Sequence, residues 1–348
     1  MKAGLYIFAT IALIAIIGAL VYAVNPNKYL IEFMGLSFHF YIALWFILPM
    51  LLLFFFTLTH MFFYGLKTYL TLKKWNKDTL SLEDALYWSL VNEPKKQKYG
   101  IEGINSTAVL LSKASLTLSD NVEGLTEKLS RVVHLIQKIN NGEYVDLKEH
   151  KMDKVFKSGN PILIQNRLNC LLSHPSFVEG VMRASSEYSE IVQAEALAIF
   201  AQKSDFLQAR KYANGFDAKN FLLMLERIGN GNDLGLTIDI LNDFVEAIPF
   251  QCADFIKIAT ISKKYFKPED NLALFYGYQS QNEKAQNAYL YLLFEYELLE
   301  QVSNYLSEQG ETEFIKFRAL YTLKKEYSGY KLEDIIDIDS ICKHSTYL

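Results

Sequence analysis

Charge is what the first 65 residues lack: Lys2, Lys28 and Glu32 are their only charged side chains. That scarcity excludes an ordinary solvated start for the chain. Taking those three away from the 35 basic and 39 acidic residues leaves 33 and 38, a net charge of −5 on the remainder. A mildly acidic remainder excludes the clustered lysines and arginines that a general nucleic-acid binder needs to release counterions. Cysteine is scarce too, at three in 348 residues: Cys170, Cys252 and Cys342. Few, scattered and odd in number, they exclude a dense disulfide framework. They predict unpaired buried thiols in a reducing compartment.

Reactive motifs are also missing. There is no Gly-x-Ser-x-Gly, no His-Glu-x-x-His and no paired Cys-x-x-Cys. "GNGND" at 229–233 is glycine-rich but lacks the Lys-Ser/Thr tail of a phosphate loop, so a tight turn is expected. Cys342 and His344 form a Cys-x-His two ligands short of a zinc site, and His134 has no second ligand spaced to help it. Asp334, Asp337 and Asp339 lack the glycine and terminal glutamate of a calcium loop. The expectation is a chain that is not an enzyme, with no catalytic residue, cofactor or metal.

What is present is apolar length. Leu5 to Val24 is twenty residues without a charge, and Phe40 to Tyr64 is a longer run containing Pro49 and His60. At 1.5 Å per residue, about twenty residues cross a hydrocarbon core of about 30 Å. A cleaved signal peptide is the rival for the first run, since Val21-Tyr22-Ala23 loosely fits a cleavage site. Its apolar stretch is longer than the usual h-region, and the second run would still hold the chain. "GLKTYLTLKKWNKD" follows the second run with Lys67, Lys73, Lys74 and Lys77, against one lysine in the connecting loop. That bias puts both termini in the cytoplasm and the loop outside. The four lysines are the candidate membrane-surface residues, drawn to anionic headgroups.

Between the runs lies "NPNKYLIEFMGLSFHF". Pro26 ends the first helix. Tyr29, Ile31 and Phe33, then Leu36, Phe38 and Phe40, alternate on either side of Met34-Gly35, the pattern of a small hairpin at the interface. An apolar run, Asn25-Pro26, the Phe33-Met34-Gly35-Leu36 turn, a second apolar run and a basic exit together resemble the lipopolysaccharide assembly protein A (LapA) family over residues 5 to 70. The start of HemY-type proteins, which add a cytoplasmic helical-repeat domain, is similar. The resemblance implies a bacterial inner-membrane protein with two spans and a short periplasmic turn. It also implies a link to lipopolysaccharide or envelope biogenesis alongside a tetratricopeptide-repeat partner.

The rest reads as helices. Ser81 and Asp84 have the spacing of a helix-opening capping box, and "NEPKKQKYG" at 92–100 reads as a polar linker. Within 121–140, Leu125, Leu129, Val132, Ile136 and Ile139 fall on one face, predicting a core-facing stripe. Breaks at 158–161, 173–176, 214–217, 229–233, 247–250, 266–270 and 308–311 divide the remainder into segments suited to paired antiparallel helices. Ala194, Ala198, Ala201, Ala209 and Ala213 offer small residues for close helix approach. The aromatic run 287–306 contains Glu295, Glu297 and Glu300, so a buried helix is predicted there, not a third span.

The fold class predicted is all-α: a two-span hairpin plus a cytoplasmic, degenerate tetratricopeptide-like or α-solenoid domain. The domains are 1–70, the spans with their periplasmic turn at 25–39; 71–103, a juxtamembrane helix and linker; and 104–348, the repeat-like part. The function expected is a membrane-anchored scaffold that contacts the lipid bilayer and binds protein partners at the cytoplasmic face, with no nucleic acid. A non-catalytic subunit of a transport or secretion complex, or a lipid-handling protein, are the alternatives.

Overall fold

A computed structural model describes residues 3–33, 36–118, 123–229, 233–327 and 329–342. The chain divides into two compact units, Met1–Val133 and His134–Leu348.

The first unit opens with α1 (Ala3–Val24), β1 (Lys28–Phe33), β2 (Leu36–Tyr41) and α2 (Ile42–Leu90). Both helices are long and apolar enough to cross a membrane. They pack against each other. Gly18 makes the close approach: a Cβ there would stand 2.5 Å from Ile47 Cδ1. The predicted hairpin is present, antiparallel, with Tyr29 opposite Phe40 and Ile31 opposite Phe38. Strand alternation puts those four on one face, and Lys28, Glu32, Ser37 and His39 on the other. The predicted turn, Met34-Gly35, lies outside the described residues.

α2 has 49 residues, about 73 Å of helix, and continues through Pro49. The capping box expected at Ser81 and Asp84 does not form, because both lie inside this unbroken helix. Helix once nucleated extends cheaply through a serine. Asp84 instead pairs with Lys128. The helix stops at Leu90, and 92–100 is the expected non-helical linker.

Buried Asp78 pins the far end of that linker. Its carboxylate accepts from Gly100 N at 2.8 and 2.9 Å and from Ile101 N at 2.7 Å, at the start of α3 (Glu102–Ala108). Hydrogen bonds to a charged group are each worth about 1.5–3 kcal/mol, and their loss leaves two amides unpaired. Asp78→Ala should therefore speed amide exchange at Gly100 and Ile101 by about a hundredfold, equivalent to about 3 kcal/mol of local opening. Exchange mass spectrometry that finds unchanged protection there would refute this anchor. α4 (Glu127–Asn140) carries the predicted stripe from Leu129 onward, with Leu129, Val132 and Ile139 buried and Ile136 half-buried, whereas Leu125 lies before the helix. Exposed His134 lies on the opposite side.

The second unit continues with α5 (Pro161–Ser173), α6 (Pro175–Arg183), α7 (Glu190–Lys203), α8 (Phe206–Ala209) with a 3-10 extension to Gly215, and α9 (Ala218–Gly229). Then come α10 (Ile238–Ala247), α11 (Cys252–Tyr265), α12 (Pro268–Gln281), α13 (Gln286–Glu295), α14 (Leu299–Ser307), α15 (Ile315–Glu326) and α16 (Leu332–Ile335). Prolines start α5, α6 and α12, where a missing N–H costs nothing. Every predicted break falls between helices, although Asn230 to Asn232 of "GNGND" lie outside the described residues.

One row of helices runs through this unit: α5 packs on α7, α7 on α9, α9 on α11 and α11 on α13. Between them stand their sequence neighbours, with α6 against α7, α12 against α13, and α14 against α13. Aromatic rings thread the core. Phe200 meets Phe216, Phe216 meets Phe244, and Phe244 meets Phe221 with centroids 4.9 Å apart. Phe250, Phe255 and Tyr278 extend the chain of edge and tilted contacts. Ala201 and Ala209 are fully buried as expected, whereas Ala194 is exposed. The aromatic run 287–306 packs within the second unit, as two helices. Glu297 adopts φ 57° and breaks them apart after α13, whose Ala288 to Phe294 are all buried.

Candidate functional site

In the second unit α10 and α12 wall a groove of about 620 Å³. It arises from where small side chains fall. On α12, Ala273 and Gly277 are four residues apart and so share one helix face, and the Cβ position of Gly277 meets nothing within 4 Å. The facing wall presents Asn242 and Glu246, again four apart, and buried Phe255 of α11 forms the floor. At the base, Tyr278 Oη donates to Asn242 Oδ1 at 2.7 Å and ties the two walls together. Burial, assisted by the Glu246 carboxylate, pushes the Tyr278 phenol far above its usual range. It is therefore a neutral donor at every physiological pH.

The two charged residues that line this groove, Glu246 and Asp270, are both acidic. α10 carries Asp239, Asp243 and Glu246; α12 carries Glu269 and Asp270; α14 carries Glu300. None of these three helices contains a lysine or an arginine. Asp243 is paired with Arg210 from the 3-10 turn. By contrast, α11 carries Lys257, Lys263 and Lys264 against Asp254 alone. Sequence reading missed this segregation because it appears only when the helices are delimited and compared.

A second opening, of about 480 Å³, lies beside Cys252, Cys342 and Phe314, with Glu283, Lys284, Glu313 and Lys316 balancing in charge. Here the structure corrects the expectation of three unpaired thiols. Cys252 and Cys342 form a disulfide with Cα atoms 5.8 Å apart, and only buried Cys170 is free. The error has a simple cause: 90 residues separate the pair, and no sequence pattern reports contacts that distant. Phe314 beside it has φ 54°, and Lys316 Nζ donates to Ser340 O, so the C-terminal segment is held at two points.

Other polar clusters support the packing. Lys263 pairs with Glu295 and Tyr291, joining α11 to α13. Burial alone would lower the Lys263 ammonium, but the hydrogen bonds it donates to Glu295 and Tyr291 overcome that and raise it. Cys170 lies 3.9 Å from His174 Nδ1, yet burial raises its thiol, with a bond to Tyr144 opposing, so it is not primed as a thiolate. Among the described residues no group of three or more His, Cys, Asp or Glu could hold a metal ion. His344 lies outside them, as do the side chains of Asp334 and Asp339.

Lys67, Lys73, Lys74 and Lys77 are all exposed on the continuous helix α2, over about 15 Å of rise. No protein-family profile, curated protein or solved structure matches the chain.

Proposed function

We propose that this chain is a bacterial inner-membrane anchor that presents a helical scaffold to protein partners at the cytoplasmic face. The observation that carries the reading is the open α10–α12 groove, with an acidic residue on each wall. Grooves with an apolar floor and a charged rim suit protein docking better than enclosed catalysis. The row from α5 to α13, with its flanking helices, follows the logic of a degenerate α-solenoid, in which each unit packs on the next. Two apolar helices confine this surface to the membrane plane and raise its effective concentration for membrane-bound partners. The lysine excess after α2 supports a cytoplasmic location, and the resemblance to the LapA and HemY-type families supports an envelope-biogenesis setting.

A role as a subunit of a larger membrane complex draws on a separate observation. Tyr69, Leu72 and Trp75 stand exposed on α2 beyond its most apolar stretch. Their contacts with neighbouring spans would add to the docking role.

Chemical crosslinking in native membranes tests the scaffold. Full-length chain and a version ending at residue 65 would be purified in detergent and their crosslinked neighbours identified. The scaffold reading expects most neighbours to vanish with the truncation. Equal recovery from both would overturn it.

A further inference from the structure

We infer that the α10–α12 groove receives a cationic amphipathic helix of a protein partner; this rests on the scaffold reading and specifies its ligand. Three features of the groove define the occupant. Its opening, about 620 Å³, is long enough along two helices to seat side chains from successive turns of a third. Its centre is apolar and recessed, because Gly277 and Ala273 withhold side chains above the Phe255 floor. Its rim is acidic at both walls, with Glu246 on α10 and Asp270 on α12. Leucine-sized side chains three or four residues apart would enter the centre, and flanking lysines or arginines would meet the rim.

Charge decides between kinds of occupant. The two charged side chains that line the groove, Glu246 on α10 and Asp270 on α12, are both acidic, a local field that attracts cations and repels anionic lipid headgroups or nucleic acid. An acidic helix of similar shape would be rejected by the same field. The neutral Tyr278–Asn242 link at the base supplies no cation to offset it. Gln281, at the edge, offers a side-chain amide to the incoming backbone ends and side chains.

Site-specific photocrosslinking in the full-length protein in native membranes tests the assignment. A p-benzoyl-phenylalanine replaces exposed Ala273 in the groove; a control places it at exposed Lys257 on α11. The field is reversed with Glu246→Lys and Gln281→Lys. Both lie in the last turns of their helices, where a cation suits the helix dipole, so folding is retained. A Gly277→Leu variant fills the centre without changing charge.

The expected adducts at 273 are with protein segments of net positive charge and apolar residues at helical spacing. Charge reversal and Gly277→Leu should each cut them by about tenfold. Raising salt from about 0.15 M to about 1 M, which shortens the Debye length from about 8 to about 3 Å, should also reduce them. Adducts only with lipid, with acidic segments, or no more than at 257 would overturn the inference, as would yields indifferent to both variants. The groove fails alone if crosslinked neighbours still depend on residues 66–348 while adducts at 273 are absent. If truncation also leaves neighbours unchanged, the scaffold fails with it.

Discussion

Reducing the Cys252–Cys342 bond should lower the thermal midpoint of the His134–Leu348 unit by about 10 °C. The bond closes a loop of 90 residues. Chain-entropy accounting gives such a cross-link about 4–5 kcal/mol, by denying the unfolded chain its more open conformations. For a domain of this length each kcal/mol moves Tm by about 2–4 °C. The effect has a local part too. Cys342 and the Lys316–Ser340 contact hold the segment after α15 against α11, so reduction should raise exchange first in α16 and in the turn that follows it. Calorimetry of the purified protein, with and without a phosphine reductant, reads the global shift. Cys252→Ser with Cys342→Ser should reproduce the reduced midpoint and become insensitive to reductant. A midpoint that moves by less than about 2 °C would show that the loop contributes little to stability.

The parts of this fold that depend on local chemistry were legible in the sequence. Charge-free length marked α1 and the apolar part of α2, and alternation about Met34-Gly35 marked the hairpin strands. Proline and glycine clusters marked the breaks, because a missing donor or a flexible backbone acts within one or two residues. Glu295 and Glu300 correctly kept 287–306 out of the membrane class. Non-local facts were not legible. Ser81 and Asp84 offered a cap, but a helix already running from Ile42 needed none. Nothing local in the sequence singles out Asp78, although it is buried and holds the Gly100 and Ile101 amides just before α3. The groove depends on Ala273 and Gly277 facing Asn242 and Glu246, a pairing that only the packing of α10 and α12 creates.

The same disulfide bears on orientation, and the two arguments pull in opposite directions. The proposed topology, drawn from Lys67, Lys73, Lys74 and Lys77 against Lys28, has the large unit in the cytoplasm. Disulfides belong to oxidising compartments, because cytosolic glutathione and thioredoxin systems keep thiols reduced. The lysine bias acts at insertion, within 15–20 residues of the span ends, and a cysteine pair more than 170 residues downstream has no part in it. Under the proposed topology, orientation follows the lysines and the bond is a condition of the oxidised protein. Local chemistry permits that exchange. Cys252 is the first residue of α11, beside the opening that also lies against Cys342, and Asn287 Nδ2 donates to its sulfur at 3.3 Å. Oxidation by diamide would join the two sulfurs and pass two electrons and two protons to the azo group. In growing cells quenched with acid and alkylated under denaturing conditions with a maleimide-polyethylene glycol, the chain should gain three adducts, one at each of its three cysteines. After diamide it should gain one, at Cys170. A single adduct in unstressed cells would place the unit in an oxidising compartment. It would reverse the proposed topology and turn the hairpin toward the cytoplasm.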